Sequence, residues 1–329
     1  MKFTPQKLNV PPLYIPVLLY IATFAMWMLI YFLDSSRELL LLTSTDHLAE
    51  RILPTHTIWA HILSFAVMAV NSALIAQMNN KFSFIRTRTF IPTFIYLFIS
   101  LSWIETHGNY LYYLATFFVL LALFLSLDSY KNRTAVEHHF LAFFLLAFAS
   151  FFVPNFLFLL PFFWLGWFFL KTFSFRSFIA SVLGFFTPWI LYLGFNFVIT
   201  GEVRQFKSMQ KFFYSFELFD YTHIVSLVYM FSMTLVLLIS LTQMFIHSRR
   251  DSLQARDQLN FLKMIGAGVL IVSLFRFSGV VAFLPLFAFF YAVLSAYAFT
   301  LVKSKFNSIL FILFLLIGVL YIASYFFSL

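Results

Sequence analysis

Residues 13–33 read LYIPVLLYIATFAMWMLIYFL, an apolar run without one charged side chain. About 20 such residues is the length an α-helix needs to cross a hydrocarbon core roughly 30 Å thick. In lipid, a helix also satisfies its backbone N–H and C=O groups within its own segment. Asp34-Ser35-Ser36-Arg37 follows directly, with no small-residue cleavage site, and the run is too long for a signal-peptide core. It is expected to remain as a membrane anchor.

The pattern recurs along the whole chain. Further apolar runs lie at about 56–77, 89–104, 110–127, 140–153, 155–170, 178–199, 222–246, 261–276, 279–301 and 307–328. The expected fold is all-α: a polytopic membrane helix bundle of eleven transmembrane helices, ten to twelve at the limits, forming a single transmembrane domain over 1–329. Composition agrees. Of 329 residues 62% are apolar and 10% charged, with mean hydropathy +0.93, whereas soluble domains are about half apolar and a quarter charged. Segments 140–153 and 155–170 are short and joined only by Val153-Pro154-Asn155, which leaves open a tight hairpin or one broken, re-entrant element.

Charge sets the orientation. With the N-terminus inside, fifteen of the 21 basic residues fall on the inner side: Lys2, Lys7, Lys81, Arg86, Arg88, Lys131, Arg133, Lys171, Arg176, Arg249, Arg250, Arg256, Lys263, Lys303 and Lys305. Six fall outside, namely Arg37, Arg51, Arg204, Lys207, Lys211 and Arg276. That imbalance satisfies the positive-inside rule and predicts a cytoplasmic N-terminus. The acids divide the other way, with Asp34, Glu38, Asp46, Glu50, Glu105, Glu202, Glu217 and Asp220 outside. His47, His56, His61, His107 and His223 also lie on or near the outer face, so an acid/base site facing the periplasm is one reading of that end. Unselected outer loops are the other. The stretch His247 to Lys263 reads as an ordinary solvated loop that sets orientation.

Several chemistries are excluded by what is missing. Zero cysteine removes disulfides, thiol nucleophiles and cysteine-ligated metals. There is no G-x-x-x-x-G-K-[ST], no H-E-x-x-H and no G-x-S-x-G, and Gly266-Ala267-Gly268 lacks the third glycine of a dinucleotide fingerprint. The basic residues form scattered clusters, not a stripe, which argues against nucleic acid. His56 and His61 are five apart, off the i,i+4 spacing that puts two ligands on one helix face, so no metal site and no cofactor is expected. Span centres are nearly free of charge, unlike those of ion-coupled transporters. His61 and Asn71 are the clearest polar intramembrane positions, and Asn71 reads as an interhelical hydrogen bond. The 51 phenylalanines suit lipid-facing surfaces.

Two outer segments carry more information. Ser35-x-x-Glu38 has the capping-box pattern, and Asp46 can cap a second short helix ending at Pro54, so the first outer loop reads as two interfacial amphipathic turns. A carboxylate at that depth is partly desolvated, which raises its pKa toward the range of a general base. In 201–221, Arg204, Lys207 and Lys211 share one helix face while Phe206, Met209, Phe213 and Phe216 take the other. This is an interfacial helix with a cationic stripe, suited to lipid head groups or to the phosphate of a lipid carrier, and Arg276 could join it.

Two resemblances follow from these residues. Gln77-Met78-Asn79-Asn80, Arg86-Thr87-Arg88-Thr89-Phe90-Ile91-Pro92 and Phe151-Phe152-Val153-Pro154 resemble an uncharacterised family of bacterial polytopic inner-membrane proteins of about this length. More broadly, the layout is similar to the GT-C superfamily of membrane glycosyltransferases: N-terminus inside, an acid ending the first span, an amphipathic first outer loop and many short-looped helices. This chain departs from that superfamily in a shorter first outer loop and in having no paired acidic motif. The resemblance implies sugar transfer from a polyprenyl-phosphate donor at the periplasmic face, with Asp34 as the base and Glu105 or Asp46 assisting or holding a metal. Arg204, Lys207, Lys211 and Arg276 would receive the lipid phosphate. The sequence also leaves open a non-enzymatic envelope scaffold and a transporter or flippase of a lipid-linked substrate.

Overall fold

A computed structural model describes residues 14–34, 57–85, 89–200, 224–247, 251–275, 280–301 and 304–327, with Asp34 described by its backbone. Among these the chain forms eleven α-helices: α1 Tyr14–Asp34, α2 Ile58–Phe82, α3 Ile91–Ser102, α4 Tyr110–Asp128, α5 Val136–Phe152, α6 Leu160–Leu170, α7 Phe175–Thr200, α8 Ile224–His247, α9 Leu253–Phe275, α10 Val280–Leu301 and α11 Lys305–Phe327. Two 3₁₀ turns, Ile104–Thr106 and Pro154–Leu159, join α3 to α4 and α5 to α6. Seven helices (α1, α2, α4, α7, α8, α10 and α11) are long and apolar enough to cross a membrane.

Local sequence explains the boundaries. Thr57 caps α2 by accepting the Ala60 N–H at 3.3 Å, and Ser83 closes the helix in the left-handed region at φ 53°. Proline stands in the first turn of α3 and α6, where its missing N–H costs no helical bond. Ser252 caps α9 by accepting the Ala255 N–H at 3.2 Å. The stretch read above as a solvated loop up to Lys263 is therefore helical from Leu253 onward. That serine cap and the tertiary contacts of Asp257 and Gln258 outweigh the polar composition.

The core is built around α10. Of its most apolar window 94% is buried, against 17% for α1 and 22% for α7, so α10 is enclosed while the other two line the periphery. It packs on α3, α8, α9 and, to a lesser extent, α4 and α11; α5 packs between α4 and α7. The peripheral helices present large apolar side chains outward, such as Ile190, Phe195 and Val198 on α7. That surface matches a lipid environment, since a soluble monomer rarely exposes contiguous apolar area on this scale. Phenylalanine is not confined to it. Phe143 stacks on the half-buried Trp164 at 5.5 Å and meets the buried Trp167 at 5.1 Å, and Phe156 meets Phe283 edge-on at 5.0 Å deep inside.

Contacts between helix ends define two poles. At one, Lys81 Nζ pairs with Asp128 at 2.6 Å and Lys171 Nζ with Asp257 at 2.8 Å. Tyr130 donates to the same Asp257 carboxylate at 3.0 Å, and Tyr297 donates to Asp251 at 2.5 Å. The Lys131 N–H bonds the Leu170 carbonyl at 3.0 Å, so the α5–α6 pair leaves this pole and returns to it. Of the two arrangements left open for 140–170, the chain adopts an out-and-back one.

Candidate functional site

The opposite pole carries Glu105. Every lysine and arginine among the described residues (Lys81, Lys131, Arg133, Lys171, Arg176, Arg256, Lys263 and Lys305) lies at or reaches toward the Asp257 pole. Glu105 thus stands at an end without a described cationic side chain. The last turns of α1 reach the same end: Trp27 stacks on His107 at 3.5 Å and Tyr31 packs on His61 at 4.5 Å. Asp34 ends α1 one turn beyond Tyr31. The backbone of Asp34 thus lies at the same end of the bundle as Glu105.

The turn that bears Glu105 is pinned from several helices. Ser102 donates to the Ile99 carbonyl at 2.8 Å and shares a 2.7 Å hydrogen bond with the Tyr229 hydroxyl of α8. Thr106 bonds back to the Trp103 carbonyl and meets the Tyr113 hydroxyl of α4 at 2.8 Å. Gly108, at φ 79°, turns its N–H onto Ser64 of α2 at 3.3 Å. A residue with a Cβ is disfavoured at that angle, so glycine is what lets the chain reverse here. The turn carrying Glu105 is held by the adjoining α4 and by two helices distant in sequence, α2 and α8.

Glu105 itself is half-buried. Its Oε1 accepts from Ser226 of α8 at 3.1 Å, and Ser226 in turn meets the Tyr321 hydroxyl of α11 at 2.9 Å. Behind this relay stand Trp103 and a parallel pair, Tyr229 and Tyr321, with ring centroids 4.1 Å apart. A carboxylate held by one neutral hydroxyl keeps lone pairs free to accept a proton, which is the minimum a general base requires. His107 plays a different part. Its Nε2 lies 3.2 Å from the Ser100 carbonyl, and burial pushes its pKa down to about 3, so at neutral pH it is an uncharged spacer against Trp27.

Other sequence expectations fall as follows. Asp46, Arg204, Lys207, Lys211 and Arg276 lie outside the described residues, as do both proposed interfacial helices and His56. Asn71 makes the interhelical bond expected of it, its Nδ2 donating to the Tyr113 carbonyl at 3.0 Å. No cluster of three or more metal-ligating side chains occurs among the described residues. Sequence reasoning missed Ser226, Tyr229 and Tyr321, the polar tips that hold Glu105 and its turn. Ser226 and Tyr321 lie 121 and 216 positions from Glu105, and no local spacing links such partners. No protein-family model, no curated protein and no solved structure matches this chain.

Proposed function

We propose that the chain is a multi-pass bacterial inner-membrane protein of eleven spans with a cytoplasmic N-terminus, whose Glu105 pole faces the periplasm and acts on a polyprenyl-phosphate-linked sugar in the manner of GT-C glycosyltransferases. The supporting observation is the shared pole of Glu105 and the Asp34 end of α1, set opposite the described lysines and arginines. Positive-inside topology assigns the cationic pole to the cytoplasm and leaves the carboxylates facing outward. In the proposed reaction a carboxylate, Asp34 with Glu105 assisting, takes the proton of an acceptor hydroxyl. The acceptor oxygen bonds the anomeric carbon as the carbon–oxygen bond to phosphate breaks, and the polyprenyl phosphate departs with that electron pair. Arg204, Lys207, Lys211 and Arg276 are the cations proposed to receive it.

The test is turnover. The full chain in lipid nanodiscs is incubated with a panel of radiolabelled polyprenyl-phosphate sugars and hydroxyl-bearing acceptors, beside Asp34→Asn and Glu105→Gln. Label transfer that falls by about 10²-fold or more in Asp34→Asn supports the reading, on the usual size of general-base contributions. Transfer unaffected by either substitution, or no transfer from any donor by a folded protein, refutes it.

A further inference from the structure

At the root of the Glu105 turn three polar side chains from neighbouring helices face one another inside the bundle. Asn71 of α2 has its Nδ2 on the Tyr113 carbonyl, which leaves Oδ1 without a hydrogen bond. The hydroxyl of Tyr96 on α3 faces Asn71 and Ser100 but closes a directed hydrogen bond to neither. Ser100 Oγ, one turn further along α3, is also without a partner. Exposure is 0–1% at all three residues, so outside solvent does not satisfy these atoms.

Ser100 departs from the habit of this bundle. Ser64, Ser72, Ser102, Ser150 and Ser240 each return the hydroxyl to a carbonyl of their own helix at 2.5–2.9 Å, a common way to satisfy a helical serine in lipid. Ser100 Oγ makes no such bond, although it lies near the hydroxyls of Tyr96 and Tyr113. The open positions are one pure acceptor, Asn71 Oδ1, and two hydroxyls that can donate or accept. Neighbours acting on Tyr96 are Tyr113, Tyr20, Asn71 and Ser100, none of them charged. A guest that suits this set is small and neutral, and offers both donors and an acceptor.

We propose that Asn71, Tyr96 and Ser100 hold an ordered water molecule that bridges α2 and α3 beneath the Glu105 turn. Three polar partners is the usual complement of a buried water. The Ser100 carbonyl already faces His107, and the Tyr113 hydroxyl faces Thr106, so the water ties the bundle interior to the turn. This role is independent of any transferase activity.

Radiolytic hydroxyl labelling of the full chain in nanodiscs, with a rapid switch to ¹⁸O-water, reads the site directly. Tyr96 is expected to be modified and to acquire ¹⁸O with a lag, while Phe163, buried among rings, is not. Absence of modification at Tyr96 above the Phe163 level overturns the proposal. Tyr96→Phe gives a second readout: with water present its loss of a partner lowers Tm by about 3 °C, whereas an unpaired hydroxyl removed from the interior leaves Tm unchanged or raised, which also overturns the proposal. Should that variant fail to fold, the labelling of the wild-type chain decides. A rise in Tm specific to sodium over matched potassium puts a cation there and refutes the neutral guest.

Discussion

His107 shows how a residue's surroundings decide its chemistry. By type it is the side chain best placed to titrate near neutrality, yet burial holds it uncharged down to about pH 3. The unfolded chain binds a proton at about 6.5, so between those values the unfolded state carries more protons than the folded one. His107 therefore contributes stability that is complete above about pH 6.5 and is lost as pH falls toward about 3. Thermal unfolding in detergent is expected to show Tm declining between pH 6.5 and 4.5, above the range where most carboxylates titrate. In His107→Phe, which keeps a ring against Trp27, that part of the slope should flatten. An unchanged slope would assign the decline to other groups. Glu105, by contrast, is a candidate that the sequence offers by residue type, whereas its Ser226–Tyr321 relay is not legible there. Residue type announces a possible base, but only the folded chain brings a serine and a tyrosine from α8 and α11 onto it.

Helices were the most legible level, because an apolar run long enough for a bilayer leaves the backbone few alternatives. What the runs do not contain is how closely two helices approach. Gly184 is the clearest instance: a Cβ added there would land on the carbonyl oxygen of Phe140, so α7 crosses α5 at backbone contact. Gly194, on the same helix, has nothing within 4 Å of such a Cβ. Nothing in the sequence separates the two glycines. Gly184→Ala is expected to cost about 1–3 kcal/mol by forcing the crossing apart, while Gly194→Ala should be neutral or slightly stabilising through helix propensity. Paired Tm measurements in one detergent check this, and equal shifts for the two variants would refute a backbone-contact crossing. The start of α9 failed in the sequence for a related reason. Arg256 and Asp257 read as loop by polarity, but Asp257 is held by Lys171 and Tyr130, and that satisfied charge lets the helix begin at Leu253.

At the scale of the molecule, the two poles and the enclosed α10 are one arrangement seen twice. A helix buried along 94% of its apolar window can sit at the centre because it carries no charge to be solvated. Apart from Lys263 within α9, the described charges stay near the ends of the helices around it. Since Lys131 and Leu170 meet at one pole, α5 and α6 together change nothing about which side the later helices start from. The alternation of α1 to α4, which precede that pair, puts Asp34 and Glu105 on one side and Asn132 on the other. The chain has no cysteine, so single-cysteine variants report without background. In intact cells a membrane-impermeant maleimide is expected to label Asp34→Cys and not Asn132→Cys, with both labelled after permeabilisation. Asn132 lies in the exposed α4–α5 turn, between Lys131 and Arg133, so its protection in intact cells would come from sidedness and not from burial. Labelling of Asn132→Cys from outside would invert the molecule, place the carboxylate pole in the cytoplasm, and remove the periplasmic transferase along with it.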